Sequence, residues 1–211
     1  MVAAIILVGA IATVSAFALK HKQTDAKPLS AVRIAIVGDS YSAGMRNRVV
    51  WPTLLAQRTG WSISNFALPD AGYAADGLGG GHGFTYQVER AQGANPQYIV
   101  VVSGIADQQF VGTGDITTGA TIAINKIKLG GQQALVIGPT WYDTPVPQEV
   151  RNVSDEIRKV AEAAGVPFLD ALDPPWLKPD QMQADLGSPT DGGQSVIADK
   201  IAAWLRTQVA R

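Results

Sequence analysis

The sequence predicts an α/β fold, in which a parallel sheet of five short strands is covered by helices on both faces. Three observations carry that prediction. Short apolar runs alternate with longer stretches along most of the chain. The clearest run, Tyr98-Ile99-Val100-Val101-Val102-Ser103, is continuous and rich in β-branched residues, as a strand buried on both faces requires. Between the runs, apolar residues recur at steps of three and four, the spacing of one helical face. Strand-helix alternation with short links builds a three-layer α/β/α sandwich.

The elements follow in order. Val32 to Val37 is the first strand, ended by Gly38. Trp61 to Phe66 is the second, Tyr98 to Ser103 the third, and Ala134 to Ile137 the fourth, ended by Gly138-Pro139. Pro167 to Leu169 is a short fifth. Val146, Val150, Val153, Ile157, Val160 and Ala164 mark one helix face. A last helix carries Val196, Ile197, Ile201, Trp204 and Leu205 on one side, with Asp191 as its expected N-cap. No internal repeat and no second folded domain is read. The domain is expected over residues 31–211, after a polar linker at 20–30.

Residues 1–19 contain no charged side chain and are about long enough to span a bilayer as a helix. They are expected to act as a transmembrane anchor or an export signal. Ala16-Phe17-Ala18 resembles a cleavage site, whereas the segment lacks a positively charged side chain before it, and Lys20 and Lys22 behind it favour a cytoplasmic C-terminal side. The expected location is membrane-anchored or exported, at the cell envelope.

Composition removes several classes of chemistry. The chain of 211 residues has 17 Lys+Arg against 18 Asp+Glu, so no basic surface suggests nucleic acid as a partner. Cysteine is absent, which excludes disulfides, thiolate nucleophiles and cysteine zinc sites. The two histidines, His21 and His82, are too few for a histidine zinc site. No metal and no cofactor is expected.

In open parallel sheets, ligands bind beyond the carboxyl ends of the strands. The first such segment is Gly38-Asp39-Ser40-Tyr41-Ser42. A serine at a tight strand-to-helix turn presents its hydroxyl with helix amides nearby. This is neither the G-x-S-x-G elbow nor a P-loop. Gly77-Leu78-Gly79-Gly80-Gly81-His82-Gly83 does not match a dinucleotide loop, but it places the domain's one imidazole on a loop leaving the same sheet edge. His82 is therefore a candidate base for Ser40 as well as an ordinary loop histidine. Trp141 and Tyr142, after the fourth strand, are candidates for a substrate pocket. Asp107 and Asp39 are read as turn or cap residues.

Taken together, these segments resemble the sequence blocks of the SGNH hydrolases, the GDSL-like esterases and lipases. Gly38-Asp39-Ser40-Tyr41-Ser42 is similar to the first block, and Asn65 to Tyr73 to the second. Val102 to Asp107 is similar to the third, and Asp185 to Gln194 to the last. The resemblance, over about residues 32 to 207, implies a flavodoxin-like fold with a five-stranded parallel sheet. It implies Ser40 as nucleophile, Asp185 as the carboxylate that orients a histidine, and an oxyanion hole from Ser40, Gly72 and position 106. Two positions depart from the pattern. Ala106 stands where the family has an asparagine, and Ser188 stands where it has the catalytic histidine. The expected partner is a small acyl ester or glycan ligand. The expected activity is ester hydrolysis on lipid or envelope carbohydrate, impaired by the missing base. The alternative is an inactive pseudoenzyme that binds such a ligand or a protein partner.

Overall fold

The computed structural model describes residues 32–110 and 112–209. The expected membrane or signal segment at 1–19 and the linker at 20–30 lie outside the described residues. Among the described residues no helix is long and apolar enough to cross a membrane.

The five strands form as the apolar runs dictate. They are β1 (Arg33–Gly38), β2 (Ser62–Asn65), β3 (Tyr98–Val102), β4 (Gln133–Ile137) and β5 (Phe168–Leu169). All neighbours pair in parallel, in the order β2-β1-β3-β4-β5. The central strands β1 and β3 are buried along nearly their whole length, whereas β2 is half exposed at an edge. That contrast follows composition. Val, Ile and Ala fill β1 and β3, and Ser62-Ile63-Ser64-Asn65 presents polar side chains that tolerate solvent.

Among the described residues six α-helices complete the layers: α1 (Ser40–Ala43), α2 (Trp51–Thr59), α3 (Phe84–Gln92), α4 (Gly114–Leu129), α5 (Gln148–Ala163) and α6 (Asp191–Val209). Alternate strand residues face opposite sides. Ala35, Val37, Ile99, Val101 and Val136 pack with Val88, Ala120, Ile124 and Ile157 from α3, α4 and α5. Ile34, Ile36, Val100, Val102, Leu135 and Ile137 pack with Leu55, Ile197, Ile201 and Leu205 from α2 and α6. Each fully buried Ile, Leu or Val contributes roughly 1.5–3 kcal/mol, so the two cores dominate the stability.

Two helix starts differ from expectation. α5 begins at Gln148 because Pro147 precedes it in an extended conformation, and Val146 instead packs below the helix with Val150 and Leu172. Asp191 is the first residue of α6 and not its cap. The Thr190 hydroxyl accepts from Gly193 N at 3.3 Å, while Asp191 Oδ1 accepts from Arg48 N and Asn47 Nδ2. Asp191 thus spends its carboxylate on the segment before α2.

Candidate active site

The carboxyl end of β1 delivers Gly38, Asp39 and Ser40 to the rim of the sheet, and α1 starts at once on Ser40. Asp39 caps that turn by accepting from Tyr41 N at 3.0 Å. Its second oxygen accepts from Ile105 N at 3.3 Å, in the loop after β3. The fit is tight enough that a Cβ on Gly104 would lie 1.5 Å from Asp39 Oδ2. Asp39 is 2% exposed, and burial pushes its carboxyl up to about 7 against the pull of these amides.

Asp107 performs the next tie. It is buried and accepts from the backbone N–H groups of Tyr73, Ala74 and Ala75 at 2.8–3.0 Å. The loop after β3 thereby fixes the loop after β2. Gly72 lies directly against that carboxylate, where a Cβ would come within 2.2 Å of Oδ1. The turn and cap role expected of Asp107 becomes a link between two loops distant in sequence. Burial also raises this carboxyl, with the three amides opposing.

Two glutamines without a sequence signal finish the frame. Gln87 on α3 accepts from Gly38 N and donates to Gly38 O, both at 2.9 Å. Gln194 on α6 accepts from Trp51 N at 2.7 Å and donates to Tyr41 O at 2.9 Å. Both are fully buried. Gln87 satisfies the backbone of Gly38 at the end of β1, and Gln194 joins the first N–H of α2 to a carbonyl of α1.

Above this frame Ser40 opens into a pocket of about 390 Å³ lined by Ser40, Met45, Arg46, Asp70, Asp185, Gly187 and Ser188. Ser40, Asp185 and Ser188 are therefore brought together as the sequence suggested. Ser188 carries a hydroxyl and no imidazole. Asp185 forms an ion pair with Arg46 and accepts from Gly187 N at 3.1 Å. The Gly187 amide first, and then Arg46, hold this exposed carboxyl below the usual range.

Asp70 is the residue that the sequence reading missed. Its N–H donates to Ser40 Oγ at 2.9 Å, and its Oδ1 lies 3.2 Å from the same oxygen. Its φ is +56°, in the left-handed region that Gly, Asn and Asp adopt most readily. The available signal was Leu68-Pro69-Asp70-Ala71-Gly72, a turn in which Asp competes with Gly for the left-handed position. Asp70 also lines a larger neighbouring cleft, of about 690 Å³, with Asp76, Leu78, Ile105, Ala106 and Phe110 among its walls.

Several expectations are corrected by this geometry. Gly72 does not aim its amide at Ser40, because that N–H donates to Ala75 O at 2.8 Å inside the turn clamped by Asp107. The loop amide that meets Ser40 is that of Asp70, and it donates to the hydroxyl oxygen itself. Ala106 begins a 3₁₀ turn, Ala106–Gln109, and brings no side-chain donor. His82 is not brought to Ser40. Its N–H donates to Asp76 O, its carbonyl accepts from Gln87, and its ring packs where a Cβ on Gly77 would meet it. The glycine-rich loop is also better organised than its composition suggests. The Asp76 carboxylate accepts from Gly81 N at 2.8 Å and Gly83 N at 2.9 Å, gathering the loop around it. Trp141 and Tyr142 stack on each other with centroids 4.6 Å apart and pack into the core margins. They line neither the Ser40 pocket nor the neighbouring cleft.

Comparison with known proteins agrees with the architecture. Residues 36–196 match the model of the GDSL-like lipase/acylhydrolase family. The chain is 28% identical over 193 residues to the GDSL lipase Rv0518 of Mycobacterium tuberculosis, covering 83% of this chain and 82% of that one. Among solved structures it resembles the psychrotrophic esterase EstA from Pseudoalteromonas sp., with a TM-score of 0.65 at 17% identity, covering 84% of this chain and 98% of that one. It also resembles a family two carbohydrate esterase from Clostridium thermocellum, with a TM-score of 0.67 at 14% identity, covering 85% of this chain and 64% of that one. A serine at the end of the first strand, a five-stranded parallel sheet and a family match over most of the domain converge: the chain belongs to the GDSL-like lipase/acylhydrolase family of SGNH hydrolases.

Proposed function

We propose that the protein acts on acyl esters of lipid or envelope carbohydrate through Ser40, with turnover well below that of a complete serine esterase. One observation carries the reading. The Ser40 hydroxyl stands at the carboxyl rim of β1, beside an open pocket, with the Asp70 N–H directed at it. The Ser40 amide, first in α1, has no intrahelical acceptor and is a donor for a developing oxyanion. The substrate class draws support from the lipase and carbohydrate esterase relatives. The charge-free residues 1–19 support a place at the cell envelope.

The impairment has two physical causes. Serine is a weak nucleophile at its own pKa and needs a positioned base, which Ser188 cannot supply. Losing a side-chain oxyanion donor at Ala106 costs about 3–4 kcal/mol of transition-state stabilisation. A second reading is a pseudoenzyme that binds an acylated or glycan ligand. It is favoured by Ser188 and Ala106, which give the pocket neither an imidazole nor a side-chain oxyanion donor.

Hydrolysis of a short-chain p-nitrophenyl ester by the full chain, beside Ser40→Ala, separates the two. Slow turnover abolished in Ser40→Ala supports the hydrolase. Identical background rates in both proteins would establish the pseudoenzyme.

A further inference from the structure

We infer that Asp70 performs the proton transfer at Ser40 for which the pocket has no imidazole. The inference rests on Ser40 being the nucleophile. Asp70 meets that hydroxyl twice, donating through its N–H at 2.9 Å and standing ready to accept through Oδ1 at 3.2 Å. Among the described residues no other side chain is hydrogen-bonded to Ser40 Oγ. The left-handed backbone at Asp70, with φ of +56°, turns amide and carboxylate of one residue toward the same oxygen. Asp70 also lies on the wall shared by the Ser40 pocket and the larger cleft, so an ester bridging the two passes over it.

The step balances without any further group. The Ser40 Oγ–H proton passes to Asp70 Oδ1 as the bond from Oγ to the ester carbonyl carbon forms. The carbonyl electron pair moves onto oxygen, where the Ser40 N–H meets it. Collapse restores the C=O bond and breaks the bond to the alcohol oxygen, which takes the proton from Asp70. Water then attacks the acyl-serine, losing its proton to the same carboxylate. Expulsion of Ser40 Oγ returns that proton to serine and releases the acid. A positioned general base contributes typically 10²–10⁴-fold. A carboxylate is a weaker base than imidazole, and its charge opposes the oxyanion, so this route is slow by construction.

The test is acylation of Ser40 by p-nitrophenyl acetate in the full-length protein, followed by intact mass and by nitrophenolate release. Asp70→Gly is the informative variant, because glycine adopts a positive φ without strain and keeps the N–H donor. Asp70→Asn is the second variant, with thermal midpoints checking that both fold. Acylation is expected to fall about 100-fold or more in both variants. Sodium formate is expected to restore part of the rate in Asp70→Gly, where the missing carboxylate leaves space. An Asp70→Gly protein acylated as fast as wild type, or faster, would overturn the inference while leaving Ser40 as nucleophile. A loss that formate does not relieve would also overturn it, by reducing Asp70 to a positioning residue. Wild type that takes up no acyl group at Ser40 would instead remove the reading of Ser40 itself.

Discussion

Four aspartates surround Ser40, and they divide into two layers. Below the hydroxyl, Asp39 and Asp107 are buried and their oxygens accept five backbone N–H groups between them, from Tyr41, Ile105, Tyr73, Ala74 and Ala75. Above it, Asp70 and Asp185 stand in solvent and meet the hydroxyl and Arg46. The lower pair hold loops from β1, β2 and β3 in register, so any change there is felt by the fold. The upper pair decide what reaches the serine, and the fold is indifferent to them. Ala106 and Ser188 take no part in the ties that Asp39 and Asp107 make, so the residues at those two positions leave the frame beneath unaffected.

The largest effect tests the frame. Gly104→Ala forces a methyl group onto the Asp39 carboxylate, and that carboxylate cannot move without abandoning two amides. A loss of about 3 kcal/mol or more is expected, read as a fall in the urea midpoint. A variant within 0.5 kcal/mol of wild type would show that the frame yields, and the contrast between layers would collapse.

Next in size is the pH response of the frame. Asp39 has its carboxyl raised to about 7 by burial, against 3.8 in the unfolded chain. The folded state therefore keeps a proton that the unfolded state has released, and stability declines as pH rises from about 4 to about 7. The decline is at most about 4 kcal/mol. Asp107, raised for the same reason, adds a slope of the same sign. Asp39→Asn stays neutral throughout, so its stability should fall less between pH 5 and pH 8. Replacing one acceptor oxygen costs it about 1 kcal/mol at pH 5. Denaturant midpoints at the two pH values give the comparison, and parallel curves would place the proton elsewhere.

The same division governs what the sequence discloses. The sheet was legible because Val32 to Val37 and Tyr98 to Ser103 must be buried on both faces, and only the central strands of a parallel sheet allow that. Ser40 was legible because a strand ending in Gly-Asp-Ser has one place to deliver the serine. α4 offered a weaker pattern, since its inward face includes Gly119, Ala120 and Ala123, where Gly119 packs on the Tyr73 carbonyl. The Gly72 amide is spent inside its own turn, on Ala75 O. The family resemblance alone places Gly72 in the oxyanion hole, whereas in the structure Asp70 adopts the positive φ and Gly72 is small to admit Asp107. Gln87 and Gln194 were invisible, because nothing local marks a glutamine that serves backbone groups 49 and 143 residues away.

On the rim, Ser188→His should raise esterase turnover by about tenfold or more, since a base then shares the pocket with Ser40. The gain is limited because Asp185, which would orient the new ring, is already paired with Arg46. Combining it with Arg46→Ala should increase the gain further. Equal rates for the single and double variants would mean that Asp185 orients nothing.

The smallest effect is that of Arg46→Ala alone on stability. The ion pair it removes joins side chains 62% and 53% exposed, where solvent and salt screen the attraction and ordering two side chains offsets much of the rest. No resolvable change is expected in thermal or urea unfolding. Neither Ser40 nor the Asp39 and Asp107 ties depend on the guanidinium for a hydrogen bond. A loss comparable to that of Gly104→Ala would show that the 185–188 loop is bound into the frame through Arg46. The rim would then be structural, and the two layers would be one.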